Sequence, residues 1–246
     1  VQKSKTKFWK YMNNLQKRII TSILLFLLVI FCIFANWPIY LFLLLIISGI
    51  SLLEISSLIM LAEKSTSKNT FAKKWIPFRL ISGFYLFFIF FLMAADFYNL
   101  GPVFIIYILL ICIFSDIGGY VIGKAIGGKK LTKISPNKTI SGSVGSFCFS
   151  IVPLLLFYNF DQSEYSYSFN NFLLCLEISL VCQLGDIFIS YIKRKAKVKD
   201  TGNFLPGHGG LLDRIDGIIF AIPYVWIYMN GLSAYFEILT GALSRL

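Results

Sequence analysis

The 246 residues are 57% hydrophobic and only 14% charged, with a mean hydropathy of +0.75. Soluble domains carry roughly 25% charged residues, so one or two ordinary water-soluble domains are excluded even though the length would suit them. A net charge of +11 would point to nucleic acid in a soluble protein, but here its placement along the chain argues for a membrane surface and against a nucleic-acid partner.

Backbone groups in lipid must be satisfied internally, which leaves helices or a closed barrel. The apolar runs are continuous rather than alternating, as at Ile23 to Ala35 and Ile39 to Ile50. The expected fold is therefore all-α, a polytopic bundle of transmembrane helices. With about 20 residues per span, seven spans are predicted, near 19–35, 38–60, 80–95, 102–117, 143–160, 171–192 and 217–233. The first lacks an A-x-A cleavage site and is followed by further spans, so it reads as an anchor rather than a signal peptide. The fourth continues as a helix toward Gly127.

Lys and Arg number six in 1–18, five in 61–80, five in 118–142 and six in 193–216, which is 22 of the 23. The alternate connections hold none of them and instead carry Asp96, Asp161 and Glu164. This bias places the N-terminus and the basic loops in the cytoplasm. The aromatics Trp37, Tyr40, Phe97, Tyr98, Tyr165 and Tyr167 fall at the opposite ends, as interfacial residues do. Cys32, Cys112, Cys148, Cys175 and Cys182 lie in apolar runs without a CxxC pair, so free thiols packed among helices are expected. Residues 1–100 form an N-terminal set of helices. Residues 101–246 are expected to form a second membrane domain with cytoplasmic loops 118–142 and 193–216, where any catalytic chemistry would lie.

Polar chemistry concentrates between Asp186 and Asp216. Asp186 lies about 9 Å inside a span at 1.5 Å per residue and needs a partner there. Asp186, Ser190, Lys193 and Lys197 follow helical spacing and share one face, a grouping that suits a phosphate–metal site. The basic end can equally snorkel to lipid headgroups, which is the favoured reading for Lys195 and Lys197. Pro206-Gly207-His208-Gly209-Gly210 is a flexible turn whose amides can cradle an anion. Asp213 and Asp216 are i, i+3 neighbours at a helix start, able to face one cation or to cap the helix. Upstream, Asp116, Tyr120, Gly123 and Lys124 continue one face, and Gly119, Gly123 and Gly127 have the spacing of close helix packing. Ser135, Lys138 and the hydroxyls up to Ser143 precede the fifth span, where an anion site at a helix N-terminus and an ordinary helix entry both remain open. Glu54 and Glu177 lie within spans and either pair locally or face a cavity.

Ser190-Tyr-Ile-Lys193-Arg194, then Lys199-Asp200-Thr201-Gly202, then Pro206-Gly-His208-Gly209-Gly210-Leu-Leu-Asp213-Arg214-Ile-Asp216 resembles the defining motif of the phosphatidate cytidylyltransferases (CDP-diacylglycerol synthases) across 27 residues. Gln183-Leu-Gly-Asp186 precedes it as in that family. Asp116-Ile-Gly-Gly-Tyr120 with Gly123-Lys124, and Ser135-Pro-Asn-Lys138-Thr139, resemble its upstream block. The resemblance covers about 100–216, and the earlier residues only in hydropathy. One departure is Ser141, where the family usually has a glutamate, so no acidic role carries over to that position.

The resemblance implies transfer of CMP from CTP to phosphatidic acid in phospholipid biosynthesis. It also implies a homodimer in the inner or plasma membrane and a magnesium-dependent cytosolic site that responds to potassium. Extra or broken helices in the family widen the expected span count to seven to nine. Asp186 and Asp213, helped by Asp216, are the implied metal ligands, with Lys193 and Arg194 completing the catalytic group. Ser190, Lys199, Asp200, His208, Gly209, Gly210, Arg214, Ser135, Lys138 and Asp116 are expected to bind substrate. A membrane transferase using a polyprenyl phosphate and a nucleotide sugar, and an ion or lipid-phosphate transporter using Asp186, Glu54 and Glu177, are the competing classes.

Overall fold

The computed structural model describes residues 14–65, 72–157, 169–202, 204 and 209–243. Helices dominate, and Lys130 and Thr139 form an isolated β-bridge. Helix α1, Asn14–Phe34, is followed after a short turn by α2, Trp37–Ser65. The Asn36 carbonyl accepts the amides of Ile39 at 2.9 Å and Tyr40 at 3.2 Å. Pro38 sits in the first turn of α2, where a missing N–H costs nothing. α3, Ala72–Phe84, runs into a wider π turn at Tyr85–Phe90, then α4, Phe91–Asp96, and a 3₁₀ turn, Phe97–Leu100. α5 is Pro102–Ile126, α6 Ile140–Ser150, α7 Val152–Phe157, α8 Phe169–Lys195, α9 the single turn Leu212–Ile215, and α10 Ile218–Leu243.

Among the described residues, five helical stretches are long and apolar enough to cross a bilayer: Trp37–Glu63, Phe78–Leu100, Pro102–Ile126, Ile140–Phe157 and Phe169–Lys195. They correspond to the second through sixth expected spans. The first and seventh correspond to the shorter apolar helices Ile23–Phe34 and Ile218–Gly231. The expected fifth span is one apolar stretch in two helices, broken between Ser150 and Val152 just before Pro153. Proline clashes with the preceding turn and removes a donor. The aromatics Tyr165 and Tyr167 lie outside the described residues.

The chain folds as two compact units, Val1–Phe87 with Ile192–Ile215, and Phe88–Tyr191 with Asp216–Leu246. In the first, α2 is the hub, with α1, α3 and α9 packing against it. Its buried face carries Ile55, Leu58, Ile59 and Ala62, and Leu211 and Leu212 are buried in the same unit. In the second, α5 pairs with α6 and also contacts α7 and α10. The buried side chains include Ile108 and Ile111 of α5, Ile178 and Ile189 of α8, and Ile219 and Val225 of α10. Phe31, Leu53, Leu80 and Ile126 expose 64% to 71% of their surface, which water would penalise and acyl chains would not.

Small residues set the α5–α6 distance. A Cβ built on Gly145 would lie 2.5 Å from the Ile122 Cβ and 2.7 Å from the Gly118 carbonyl oxygen. One on Gly142 would meet the Gly119 carbonyl at 2.8 Å. Gly119 and Gly123 therefore pack closely, as their spacing suggests. Gly127 does not: it has φ 64° and no atom within 4 Å of a Cβ position, and it ends α5 in a conformation that favours glycine. Replacing Gly145 by alanine should force the helices apart at a cost of about 1–3 kcal/mol, read as a lower thermal midpoint of the purified protein in detergent.

Candidate functional site

In the second unit, α5 and the loop after it build a cleft of about 570 Å³, within the range of small-ligand sites. Asp116, Tyr120 and Lys124 enter from α5, Ser135 and Lys138 from the loop, and Asp186 from α8. The loop is held by reciprocal backbone bonds, Leu131 N–H to the Lys138 carbonyl at 2.9 Å and Ile140 N–H to the Lys129 carbonyl at 3.0 Å. These aim Lys138 back at the membrane helices, where its ammonium pairs with the Asp186 carboxylate. Asp116 is close enough to be repelled by Asp186 and attracted by Lys138. Ser190 donates to Asp186 at 3.2 Å, so the helical spacing does place these two on one face. The Lys124 ammonium lies 5.6 Å over the ring of Tyr120.

The entry to α6 is a tight hydroxyl arrangement. Thr139 caps the helix by accepting the Gly142 amide at 3.1 Å. Ser141 donates to the Gly127 carbonyl at 2.5 Å and lies 3.0 Å from the Thr139 hydroxyl. Since the Ser141 hydrogen is used, Thr139 is the donor between the two. Ser141 thus ties the start of α6 to the end of α5, a task that needs no acid. Deeper in the unit, Ser143 donates to Gln183 at 2.5 Å, Gln183 to Ser179 at 3.3 Å, and Ser179 lies 2.7 Å from Ser115. The carboxylate of Glu177 accepts the Tyr224 hydroxyl at 2.7 Å.

The first unit holds the other constellation. Lys193 donates to Asp213 Oδ1 at 2.7 Å, with 13% and 9% of their side chains exposed. Asp213 Oδ2 accepts from the Thr201 amide at 2.8 Å, the Thr201 hydroxyl at 3.0 Å and the Gly210 amide at 3.1 Å. The Gly210 amide, expected to serve an anion, therefore serves Asp213. Gly209 has φ 87°, a left-handed turn that brings the chain back toward Asp200 and Asp213. Arg194, Lys199, Asp200 and Arg214 are exposed, and His208 lies outside the described residues. α8 stops at Lys195 with bonds from Lys197 N–H to the Arg194 carbonyl and Val198 N–H to the Lys193 carbonyl. Lys197 has φ 57° at this helix end, so it leaves the shared face rather than extending it. Asp213 sits on α9, which ends at Ile215, while Asp216 occupies the turn before α10 and accepts the Gly217 amide at 2.9 Å. The helix start expected to carry both carboxylates is thus interrupted.

Sequence reading missed the partners of Glu54, an acid near the far end of an apolar run. Its carboxylate accepts the Leu211 amide at 2.9 Å, the Leu212 amide at 2.8 Å and the Thr201 hydroxyl at 3.0 Å. An unpaired acid so placed signals a partner, but its spacing from the loop says nothing of which. Gln183, an amide beside Asp186, carried a similar signal. The five cysteines are free, as expected.

Burial pushes the Asp213 carboxyl up. The Lys193 hydrogen bond, the Thr201 and Gly210 amides and the Lys193 charge outweigh this and hold it below the ordinary carboxylate value. A depressed folded value stabilises the fold above the unfolded pKa of about 4 and loses that contribution as pH falls through the folded one. Amide exchange of Thr201 and Gly210, corrected for intrinsic rate, should stay slow at neutral pH and quicken only in acid. Asp213→Asn should remove the acid-dependent step.

The cytidylyltransferase family model matches residues 8–232. The chain is 35% identical over 187 residues to a phosphatidate cytidylyltransferase of Bacillus subtilis, covering 74% of this chain and 69% of that protein. It is 40% identical over 178 residues to one of Staphylococcus aureus, covering 70% and 66%. Over 125 residues it is 45% identical to one of Rickettsia bellii, covering 48% and 53%. The matched stretch thus spans between about half and about two thirds of these relatives. Helical and apolar in its described residues, with a basic loop folded over Asp186 and glycines folded around Asp213, the chain belongs to the cytidylyltransferase family.

Proposed function

We propose that the chain is a phosphatidate cytidylyltransferase, transferring CMP from CTP to phosphatidic acid to give CDP-diacylglycerol and pyrophosphate. The observation that carries this reading is the Ser190–Asp216 stretch, in which Lys193 and the loop amides close around Asp213 in a chain of this family. A phosphatidate oxygen attacks the α-phosphorus of CTP in line. The new P–O bond forms as the bond to the bridging oxygen breaks, and pyrophosphate departs with that electron pair. Both reactants are anions, so charge neutralisation and alignment are the protein's main tasks.

Lys138 and Lys193 are each held by a carboxylate and can turn from it to a phosphate, while the exposed guanidinium groups of Arg194 and Arg214 suit bidentate phosphate contact. Ser135 and Lys124 line the cleft beside Lys138, and Ser190 orients Asp186 through its hydroxyl. Lys199 and Asp200 flank the loop that closes over Asp213.

Among the described residues, no three His, Cys, Asp or Glu side chains gather so as to hold a metal by themselves. Magnesium asks for less, taking one or two carboxylates plus substrate phosphates and waters. The pair Asp116 and Asp186, mutually repelling at an open cleft, offers that oxygen donor set. Asp186 and Asp213 carry the same assignment by resemblance, and Asp216 by its i, i+3 spacing from Asp213. Bound magnesium would screen phosphate charge and act as a Lewis acid toward the departing pyrophosphate. A homodimer, seven to nine spans, a cytoplasmic N-terminus and site, an inner or plasma membrane location and a potassium response complete the proposal. It is supported by the distribution of Lys and Arg and by the family.

The transporter alternative needs intramembrane acids lining a path, whereas Glu54 and Glu177 are engaged by Thr201, Leu211, Leu212 and Tyr224. Purified protein given CTP, phosphatidate and magnesium should release pyrophosphate; no release, or turnover with sugar nucleotides instead, would overturn the reading. Asp213→Asn should abolish turnover, by more than about 100-fold, while the protein stays folded by thermal melting. Lys193→Ala should raise the substrate concentration for half-maximal rate more than it changes protein abundance.

A further inference from the structure

We propose that Glu54 of α2 is a positioning residue for this reaction, acting on Asp213 through the hydroxyl of Thr201. The proposal deepens the reading above and rests on Asp213 serving turnover. Glu54 is 7% exposed, at a depth where a carboxylate without partners is costly. Its carboxylate accepts from one short stretch, the Thr201 hydroxyl and the Leu211 and Leu212 amides. An acid from a distant helix thus organises the loop that otherwise belongs to Asp213.

The link is a single hydrogen. Thr201 Oγ1 lies 3.0 Å from Glu54 Oε2 and 3.0 Å from Asp213 Oδ2. A hydroxyl has one hydrogen to donate, so the two carboxylates share it in alternation. When a cation or substrate draws on Asp213, the hydroxyl turns to Glu54 and is not left unpaired in a buried site. The loop then keeps its shape while Asp213 changes partners. Without Glu54, the Leu211 and Leu212 amides would lose their acceptor and the Thr201 hydroxyl its second one.

The loop glycines fit the same account. A Cβ on Gly210 would overlap the Thr201 hydroxyl and come within 2.5 Å of Glu54 Oε2. One on Gly202 would lie 2.9 Å from Glu54 Oε1. Two glycines of the motif are therefore the space into which Glu54 fits. Their small size serves the carboxylate of α2, and not only the approach of a phosphate.

The test uses the full chain in detergent, with Glu54→Gln, Glu54→Asp, Thr201→Val and the Glu54→Gln/Thr201→Val pair. Ser48→Ala on the same helix, whose hydroxyl has no partner among the described residues, is the control and should match wild type. Glutamine places an N–H₂ where an acceptor is needed, so Glu54→Gln should lower kcat about 10- to 100-fold and raise the magnesium concentration for half-maximal rate. Thr201→Val should act similarly, and the pair should lose little beyond the worse single variant. Glu54→Asp should recover part of the rate. Amide exchange of Leu211 and Leu212 should quicken in Glu54→Gln.

Unchanged kinetics in Glu54→Gln overturns the proposal. So do fully multiplying losses in the pair, or faster exchange with unaltered kcat and magnesium dependence, which marks a purely structural anchor. If wild type itself fails to consume CTP, the functional reading falls. Exchange then decides separately whether Glu54 holds the loop, and unchanged exchange in Glu54→Gln refutes it.

Discussion

A carboxylate at the edge of a hydrocarbon layer cannot leave its oxygens bare, and most of the structure around the candidate site follows from that. Hydration is restricted there, so Asp213, Glu54 and Asp186 recruit ammonium, amide and hydroxyl donors. Asp213 takes one of each kind of partner, Lys193 on one oxygen and the Thr201 and Gly210 donors on the other. Glu54 recruits amides and a hydroxyl. Asp186 takes the ammonium of Lys138 and the hydroxyl of Ser190. The loop geometry is a consequence: a glycine-rich segment is the kind of backbone that can bring several amides onto a carboxylate without side chains in the way.

Close helix packing supplies the second condition. Gly142 and Gly145 let α6 approach α5 until backbone meets backbone. Thr139 and Ser141 then stitch the loop end of that pair together. Lys138, the residue just before this cap, is thereby fixed over Asp186 rather than free to follow solvent. Farther in, Ser143, Gln183, Ser179 and Ser115 form a continuous polar seam linking α6, α8 and α5. Such hydrogen bonds between membrane helices contribute about 0.6 kcal/mol each on average, so their greater effect is to select one register of packing.

These arrangements give the proposed chemistry its form. Two anions must meet, and the cations that screen them are stored against carboxylates in partly buried places. An ammonium held this way is close to its task and its side chain is already ordered, so less rotamer freedom is lost when phosphate displaces the acid.

Composition, run length and the loop bias of Lys and Arg determined a helical membrane protein. Local spacing determined that Ser190 would reach Asp186, because one helix carries both. The order of residues from Ser190 to Asp216 determined the family. Only the tertiary structure decided that Lys138 pairs with Asp186, that Gly210 serves Asp213, that Lys197 turns away at a left-handed helix end, and that Glu54 grips a loop about 150 residues later. The reason is physical: helical period and hydropathy act between near neighbours, whereas a buried acid is satisfied by whichever donor the packing delivers, and no local pattern records which one that is.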